Sequence, residues 1–441
     1  MITEQEFAQK FAEIHPPLGR REAIVEANRC LYCFDAPCAN ACPTHIDVPG
    51  FIKKISSGNL TGSALKILSA NVLGLSCSRV CPVDVLCEGA CVMHRYNQQP
   101  IEIGRLQRHA MDHFYNNGMR LAASETARKG SVACIGAGPA SLACAAGLRQ
   151  LGYPVTIFDS KPMAGGLNTY GVAEYKLGTV DSQKEVGLVR SLGVEFRLGA
   201  EIGGELRLKE LEDQFDVLFV GAGLGPTQPL GIPGQDLPGV IDALHFISEY
   251  KTKRGATPVG KRVVVVGGGN TAIDAATAAL RLGAVQVDIL YRRSELEMPA
   301  FRFEYDMAKE DGVHFHWLTL PVAIHGKNAV ESIECVQMEL GPADRRGRRQ
   351  PQPITGSNFQ LNCDMVIPSI GQSRLLAFLS QFRGIQLEGG CVVVDPNGQT
   401  SNPRYYAGGD CVNGGREVVD AVAEGKRAAA GIARRLEQIY G

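Results

Sequence analysis

Residues 131–160 read SVACIGAGPASLACAAGLRQLGYPVTIFDS. An apolar run leads into Gly136-Ala137-Gly138-Pro139-Ala140-Ser141; a helix of small residues is expected from there to about Gly152, and a second apolar run ends at Asp159. Strand, glycine turn, helix and strand make a βαβ unit, which implies a parallel sheet. The glycines allow a tight turn and let the backbone approach a pyrophosphate at the positive end of the helix. An acid about twenty residues further on suits a ribose hydroxyl. Gly136, Gly138 and Asp159 are therefore candidate nucleotide-binding residues. Ser141 stands where a third glycine is usual and is small enough for helix and strand to pack closely.

The same texture returns about 130 residues later in KRVVVVGGGNTAIDAATAALRLGAVQVDILYRR, residues 261–293. Here the second strand leads into Arg292-Arg293 instead of an acid. Cations at that place suit a 2′-phosphate, which favours NADP over NAD without excluding NAD. These two units are the one internal repeat, and they read as two nucleotide-binding domains.

Lys plus Arg number 45 and Asp plus Glu 46, so charge gives no case for nucleic acid or an anionic membrane as a partner. The N-terminus MITEQEFAQKFAEIHPP lacks the basic start and apolar core of a signal peptide, and no run of eighteen apolar residues occurs. A cytoplasmic location is the expectation. Residues 1 to about 123 read as helical, with Asp47 before Val48-Pro49 as a helix start. The segment ADRRGRRQPQP, residues 343–353, reads as a solvated hairpin turn, and a last helix is expected from about Val418.

Eight of the fourteen cysteines fall between Cys30 and Cys91, spaced Cys30-x2-Cys33-x4-Cys38-x3-Cys42-Pro and Cys77-x3-Cys81-Pro-x4-Cys87-x3-Cys91. In a chain with no secretion signal such crowding favours metal over disulfides. The pattern resembles ferredoxin-type 4Fe–4S ligation, in which one cysteine of a run can serve the other cluster. Two closed zinc sites are the rival reading. The other six, Cys134, Cys144, Cys335, Cys363, Cys391 and Cys411, are scattered singly and read as small buried hydrophobes.

Two dinucleotide units followed by Tyr405-Tyr406-Ala407-Gly408-Gly409-Asp410 resemble the flavin disulfide-reductase architecture, in which an NAD(P) domain is inserted into an FAD domain. Together with the helical, cysteine-rich residues 1–123, this gives an expected α/β fold: a helical double 4Fe–4S domain over residues 1–123, then two Rossmann-like nucleotide-binding domains. The FAD domain would take 124–240 and 365–441 and the NAD(P) domain 241–364. The resemblance also implies that EVVDAVAEGKRAAAGI forms the helix whose N-terminus faces the flavin. No Cys-x2-Cys pair follows the first nucleotide unit, so electrons must leave a flavin by another route.

With both blocks on one chain, the sequence is similar to the small subunit of bacterial NADPH-dependent glutamate synthase and to the N-terminal half of dihydropyrimidine dehydrogenase with its bacterial electron-input subunit. NVLGLSCSRVCPVDVLCEGACV followed by PIEIGRLQRHAMD looks most like the dihydropyrimidine dehydrogenase group, and YRRSELEMPA looks like the glutamate synthase subunit. The resemblance implies that Cys30, Cys33, Cys38 and Cys91 hold one cluster, and Cys42, Cys81, Cys87 and Gln107 the other. Cys77 is the alternative eighth ligand. It further implies an FAD site at Gly136, Gly138, Ala140, Asp159, Gly166, Leu167, Lys176, Gly409 and Asp410. The NAD(P) site would take Gly268, Gly269, Asn270, Thr271, Arg292 and Arg293.

Hydride transfer to a flavin needs no protein acid or base, so no catalytic side chain is expected. The expected function is an NAD(P)H-oxidising subunit that passes electrons through FAD and two 4Fe–4S clusters to a partner. In the dihydropyrimidine dehydrogenase reading that partner is an FMN- and Fe–S-containing catalytic subunit reducing uracil or thymine, in a hetero-oligomer. The alternatives are a glutamate synthase small subunit and an NADPH–ferredoxin oxidoreductase.

Overall fold

A computed structural model describes residues 2–204, 206–343 and 349–441. They form two compact units, one of Glu13–Thr169, Lys176–Leu224 and Arg374–Gly441, the other of Met1–Ala12, Tyr170–Tyr175 and Gly225–Ser373.

The larger unit is built on a parallel sheet with strand order Tyr405–Ala407, Val217–Val220, Val132–Ile135, Val155–Asp159, Glu195–Leu198. The runs VACI, VLFV and YYA are buried at every position, as strands covered on both faces must be. Helix Pro139–Gln150 follows the first strand and packs against the final helix Val418–Tyr440. Gly425 lies inside that final helix, where a Cβ would come 2.0 Å from the Ala140 carbonyl oxygen. A helical glycine costs about 1 kcal/mol against alanine, and here it permits helix-to-helix contact at backbone distance.

The N-terminal helices Arg20–Asn28, Val48–Ser56, Leu60–Ala70, Gly74–Val80 and Ile103–Asn116 belong to the same unit. Asp47 starts the second of these as expected, its carboxylate accepting from Gly50 N at 2.9 Å. Phe51, Ile55, Ile67, Leu106 and Phe114 join Val132, Leu142 and Ile432 in one continuous core. The expected boundary near residue 123 thus separates secondary-structure types and not hydrophobic cores.

The smaller unit has a parallel sheet ordered Met365–Pro368, Arg262–Val266, Gln286–Tyr291, His314–Trp317. Beside it in the chain is an antiparallel sheet in which Ser332–Ala343 pairs with Thr319–His325, Arg349–Pro353 and Phe359–Asn362. Helix Glu4–Lys10 is part of this unit: Phe7 and Phe11 stack with centroids 4.5 Å apart and meet Tyr250.

Three expected boundaries shift. The strand Met365–Pro368 pairs in register with Val263–Val266, so it closes the second sheet and the unit runs on to Ser373. Residues 225–240 and the first twelve residues join the same unit. Local pattern cannot assign such segments, because the pairing that claims them is made at long range. The hairpin expected over 343–353 contains the strand Arg349–Pro353; its residues 344–348 lie outside the described residues. Five of the six scattered cysteines are buried, and Cys391 is half-buried instead.

Among the described residues no single helix is long and apolar enough to cross a membrane. The pair Leu60–Ala70 and Gly74–Val80 has the composition jointly but bends by 89°, and Ala64, Ile67, Leu68 and Leu75 join the core just described.

Candidate redox-cofactor sites

Cys30, Cys33, Cys38 and Cys91 line one pocket, closed by Pro37, Val48, Ile52 and Met93. Two sequence segments sixty residues apart meet there because helix Val48–Ser56 packs against Arg20–Asn28 on one side and Ile103–Asn116 on the other. Burial pushes the Cys30 thiol up and the Cys38 thiol up to about 11, with neighbouring cysteines adding to both. Burial of this kind disfavours the thiolate, and a bound cation would favour it.

The second group gathers around Cys81. A hydrogen bond to Cys77, burial, and the nearby Cys87 and Cys42 thiols all push the Cys81 thiol well up. Burial does the same to Cys87. Gln107 is 7% exposed, and its amide nitrogen donates to Gly74 O at 2.8 Å, a bond that does not use its side-chain oxygen. Cys77 is 3% exposed and its sulfur takes the Asn71 amide at 3.2 Å. Cys77 lies on helix Gly74–Val80, and Gln107, on helix Ile103–Asn116, bonds the first residue of that helix. Among the described residues no three His, Cys, Asp or Glu side chains converge on one ion-sized point.

At the first nucleotide turn, Gly136 has φ +90° and a Cβ there would lie 2.4 Å from Gly221 O, so only glycine fits. Gly138 caps helix Pro139–Gln150 and faces Gly166, where a Cβ would come 2.8 Å from the Gly138 Cα. Two bare backbones thus form a cradle at a helix N-terminus, the arrangement a pyrophosphate needs. Leu167 follows Gly166 directly, and Ala140 and Gly409 lie against each other. The Asp159 carboxylate accepts from Ala137 N at 2.6 Å and Lys161 N at 2.8 Å, while burial pushes its pKa up. Asp410 opens a short helix, accepts from Arg416 N at 3.3 Å and is also pushed up by burial. Lys176, 8% exposed, draws down the Glu417 carboxyl that burial raises.

The glycine pattern did not reveal Arg374. Its Nη1 is buried without a hydrogen-bond partner among the described residues, its guanidinium packs on Gly414, and its charge acts on Asp410. A lone arginine after SIGQS carries no local signal of that role.

At the second turn, Gly267 has φ +146°, and a Cβ would meet Ser369 O at 2.2 Å. Gly268 lies under the Tyr291 ring, where a Cβ would come within 2.6 Å, and Gly269 caps helix Asn270–Leu282 with open space at its Cβ position. The Asn270 side chain accepts from Phe301 N at 3.0 Å, which ties the following loop to the turn, and Thr271 is half-buried beside it. Arg292 is exposed. Arg293 is half-buried and its Nε lacks a partner among the described residues.

Residues 7–119 match the family described as dihydropyrimidine dehydrogenase domain II, 4Fe–4S cluster, and residues 130–425 match the pyridine nucleotide-disulphide oxidoreductase family. The chain is 37% identical over 445 residues to a glutamate synthase [NADPH] small chain from Halomonas elongata, with 98% of this chain and 94% of that protein covered. The Escherichia coli (strain K12) small chain is 35% identical over 447 residues, at 97% and 94% coverage. A formate dehydrogenase subunit beta from Moorella thermoacetica, named as NADP(+)-dependent, is 37% identical over 91% of this chain and 60% of that one. Among solved structures, Mycobacterium tuberculosis FprA in complex with NADPH aligns with a TM-score of 0.59 at 22% identity, covering 71% of this chain and 86% of that one. That likeness speaks to the fold, as does thioredoxin reductase from Lactococcus lactis at a TM-score of 0.56 and 20% identity, over 70% of this chain and 100% of that one. Helical 4Fe–4S domain, paired Rossmann-like folds and full-length similarity agree: the chain belongs to the glutamate synthase small-chain family of FAD and iron–sulfur NAD(P)H oxidoreductases.

Proposed function

We propose that this protein is the electron-input subunit of a larger enzyme, oxidising NADPH and delivering electrons one at a time to a partner subunit. The pocket lined by Cys30, Cys33, Cys38 and Cys91, in the same compact unit as the Gly138–Gly166 cradle, carries the reading. Bound FAD supplies the two-electron acceptor for hydride, and 4Fe–4S clusters supply one-electron carriers. The chain's own residues bind and orient. Gly136, Gly138, Ala140, Gly166, Leu167 and Gly409 offer backbone to the flavin nucleotide. Asp159 and Asp410 accept from its ribose and ribityl hydroxyls, with Lys176 alongside. Gly268, Gly269, Asn270 and Thr271 receive the NADPH pyrophosphate, and Arg292 and Arg293 read its 2′-phosphate. Cys30, Cys33, Cys38 and Cys91 hold the first cluster. Cys42, Cys81 and Cys87 hold the second, and Gln107 completes it through its amide oxygen, with Cys77 as the competing donor.

The partner favoured by full-length similarity is a glutamate synthase large subunit, which would carry FMN and a glutaminase. A second reading, an FMN subunit that reduces uracil or thymine, is favoured by the match of residues 7–119 to dihydropyrimidine dehydrogenase domain II. Oxygen-free assay of the chain with each kind of partner separates them. Glutamine-dependent NADPH oxidation with the first supports the main reading; pyrimidine-dependent oxidation with the second alone overturns it. Alone, the chain should reduce artificial acceptors with NADPH and neither physiological substrate.

A further inference from the structure

One helix of the larger unit, Thr179–Ser191, holds both the flavin cradle and the second cysteine group. At its start, Gln183 Nε2 donates to Ala164 O at 2.7 Å and Thr169 Oγ1 at 3.0 Å, and Ser182 Oγ bonds Thr169 Oγ1 at 2.8 Å. These contacts clamp the loop that presents Gly166. Two residues later, Glu185 is 1% exposed and turns the other way. One of its oxygens accepts from Leu75 N at 2.8 Å and Ser76 N at 3.0 Å, and the other from the Ser76 hydroxyl. Leu75 and Ser76 open the helix that carries Cys77 and leads into Cys81. A second tie runs from Asp181 to Arg79 of that helix at 3.4 Å, and Arg79 is itself held by Glu13 and Asp112 at 2.8 Å each. Asn71 and Gln107 fix the turn in front through Leu73 N and Gly74 O.

A buried carboxyl group with one oxygen on another helix's backbone N–H groups and the other on that helix's Ser76 hydroxyl is costly unless those bonds are made, so the register of the two helices is set by it. We infer that Glu185 is a positioning residue for electron transfer: through helix Thr179–Ser191 it fixes the second cysteine group relative to the flavin cradle. The inference rests on the function proposed above. With FAD bound, a hydride from NADPH would bring it two electrons and one proton. Clusters held by the cysteine groups would take those electrons singly, and the proton would pass to solvent. Glu185 acts on the second stage alone, because it touches neither nucleotide turn.

The test is anaerobic stopped-flow mixing of oxygen-free holoprotein with NADPH, following flavin bleaching and cluster reduction separately, with the EPR spectrum of the dithionite-reduced clusters alongside. Glu185→Ala should leave iron content, FAD content and flavin bleaching at wild-type values, slow cluster reduction at least tenfold, and shift the EPR signal of one cluster. Glu185→Gln, which keeps an acceptor for the two N–H groups, should restore the rate to within about threefold. Asp181→Asn, which loosens the second tie without emptying a buried site, should slow the same phase by a smaller factor. Cluster reduction at the wild-type rate in Glu185→Ala overturns the inference, as does parallel loss of bleaching and cluster reduction in both Glu185→Ala and Asp181→Asn. Wild-type protein without iron would instead sink the proposed function itself.

Discussion

Gln107 and Cys77 make opposite demands on one cluster. If Gln107 supplies the eighth ligand through the oxygen its Gly74 bond leaves over, Gln107→Leu should alter the spectrum of one cluster and spare FAD content, whereas Cys77→Ser should leave both unchanged. The reverse pattern in visible and EPR spectra would assign the place to Cys77. The arginines at the second turn give another residue-scale expectation. Arg292→Ala with Arg293→Ala should raise the KM for NADPH at least tenfold while changing that for NADH little, since a bidentate phosphate contact is worth a few kcal/mol only to the nucleotide that has the phosphate. Equal loss for both nucleotides in steady-state assays would remove that role. Lys251 offers a pH signature in the smaller unit. Burial lowers its pKa from 10.5 to about 8. Between those values the folded chain holds fewer protons than the unfolded one, so this group makes stability rise with pH from about 8 to 10.5. Lys251→Met should flatten that part of the thermal-stability profile.

At the level of elements, the βαβ units and the last helix were legible because their signals are local: apolar runs, glycines at turns and a helical period beginning at Val418. The strand Met365–Pro368 was legible as a strand and not as a member of the second sheet, because its register with Val263–Val266 is a contact between segments a hundred residues apart. Glu185 and Arg374 were invisible for a related reason. One acid on a surface-like helix and one arginine in a loop acquire meaning only from Leu75, Ser76 and Asp410, which the fold brings to them. Gly425 falls inside EVVDAVAEGKRAAAGI, expected as a helix, and packing explains why it is glycine: Gly425→Ala sets a methyl 2.0 Å from the Ala140 carbonyl oxygen. That clash parts the final helix from the helix whose N-terminus forms the cradle. Overpacking of this kind costs typically 1–3 kcal/mol. Thermal unfolding should show the loss, and FAD occupancy should fall with it.

For the whole molecule, the fold class was legible in the sequence, and the way its parts share a core was not. Cysteine spacing grouped Cys30, Cys33 and Cys38, and resemblance added Cys91, which the structure brings to the same pocket. The helical region and the first nucleotide fold read as two domains, yet they share one core running from Phe51 to Ile432. A flavin and its electron acceptors held on one core keep a fixed separation, which suits a one-electron relay. The measurement that tests the relay most directly is the metal content and EPR spectrum of oxygen-free protein before and after NADPH. About eight iron and eight sulfide per chain, four of each per cluster, with reduced 4Fe–4S signals growing in on NADPH addition, is the predicted result. Stoichiometric zinc, or iron that NADPH leaves oxidised while the flavin bleaches, would contradict it.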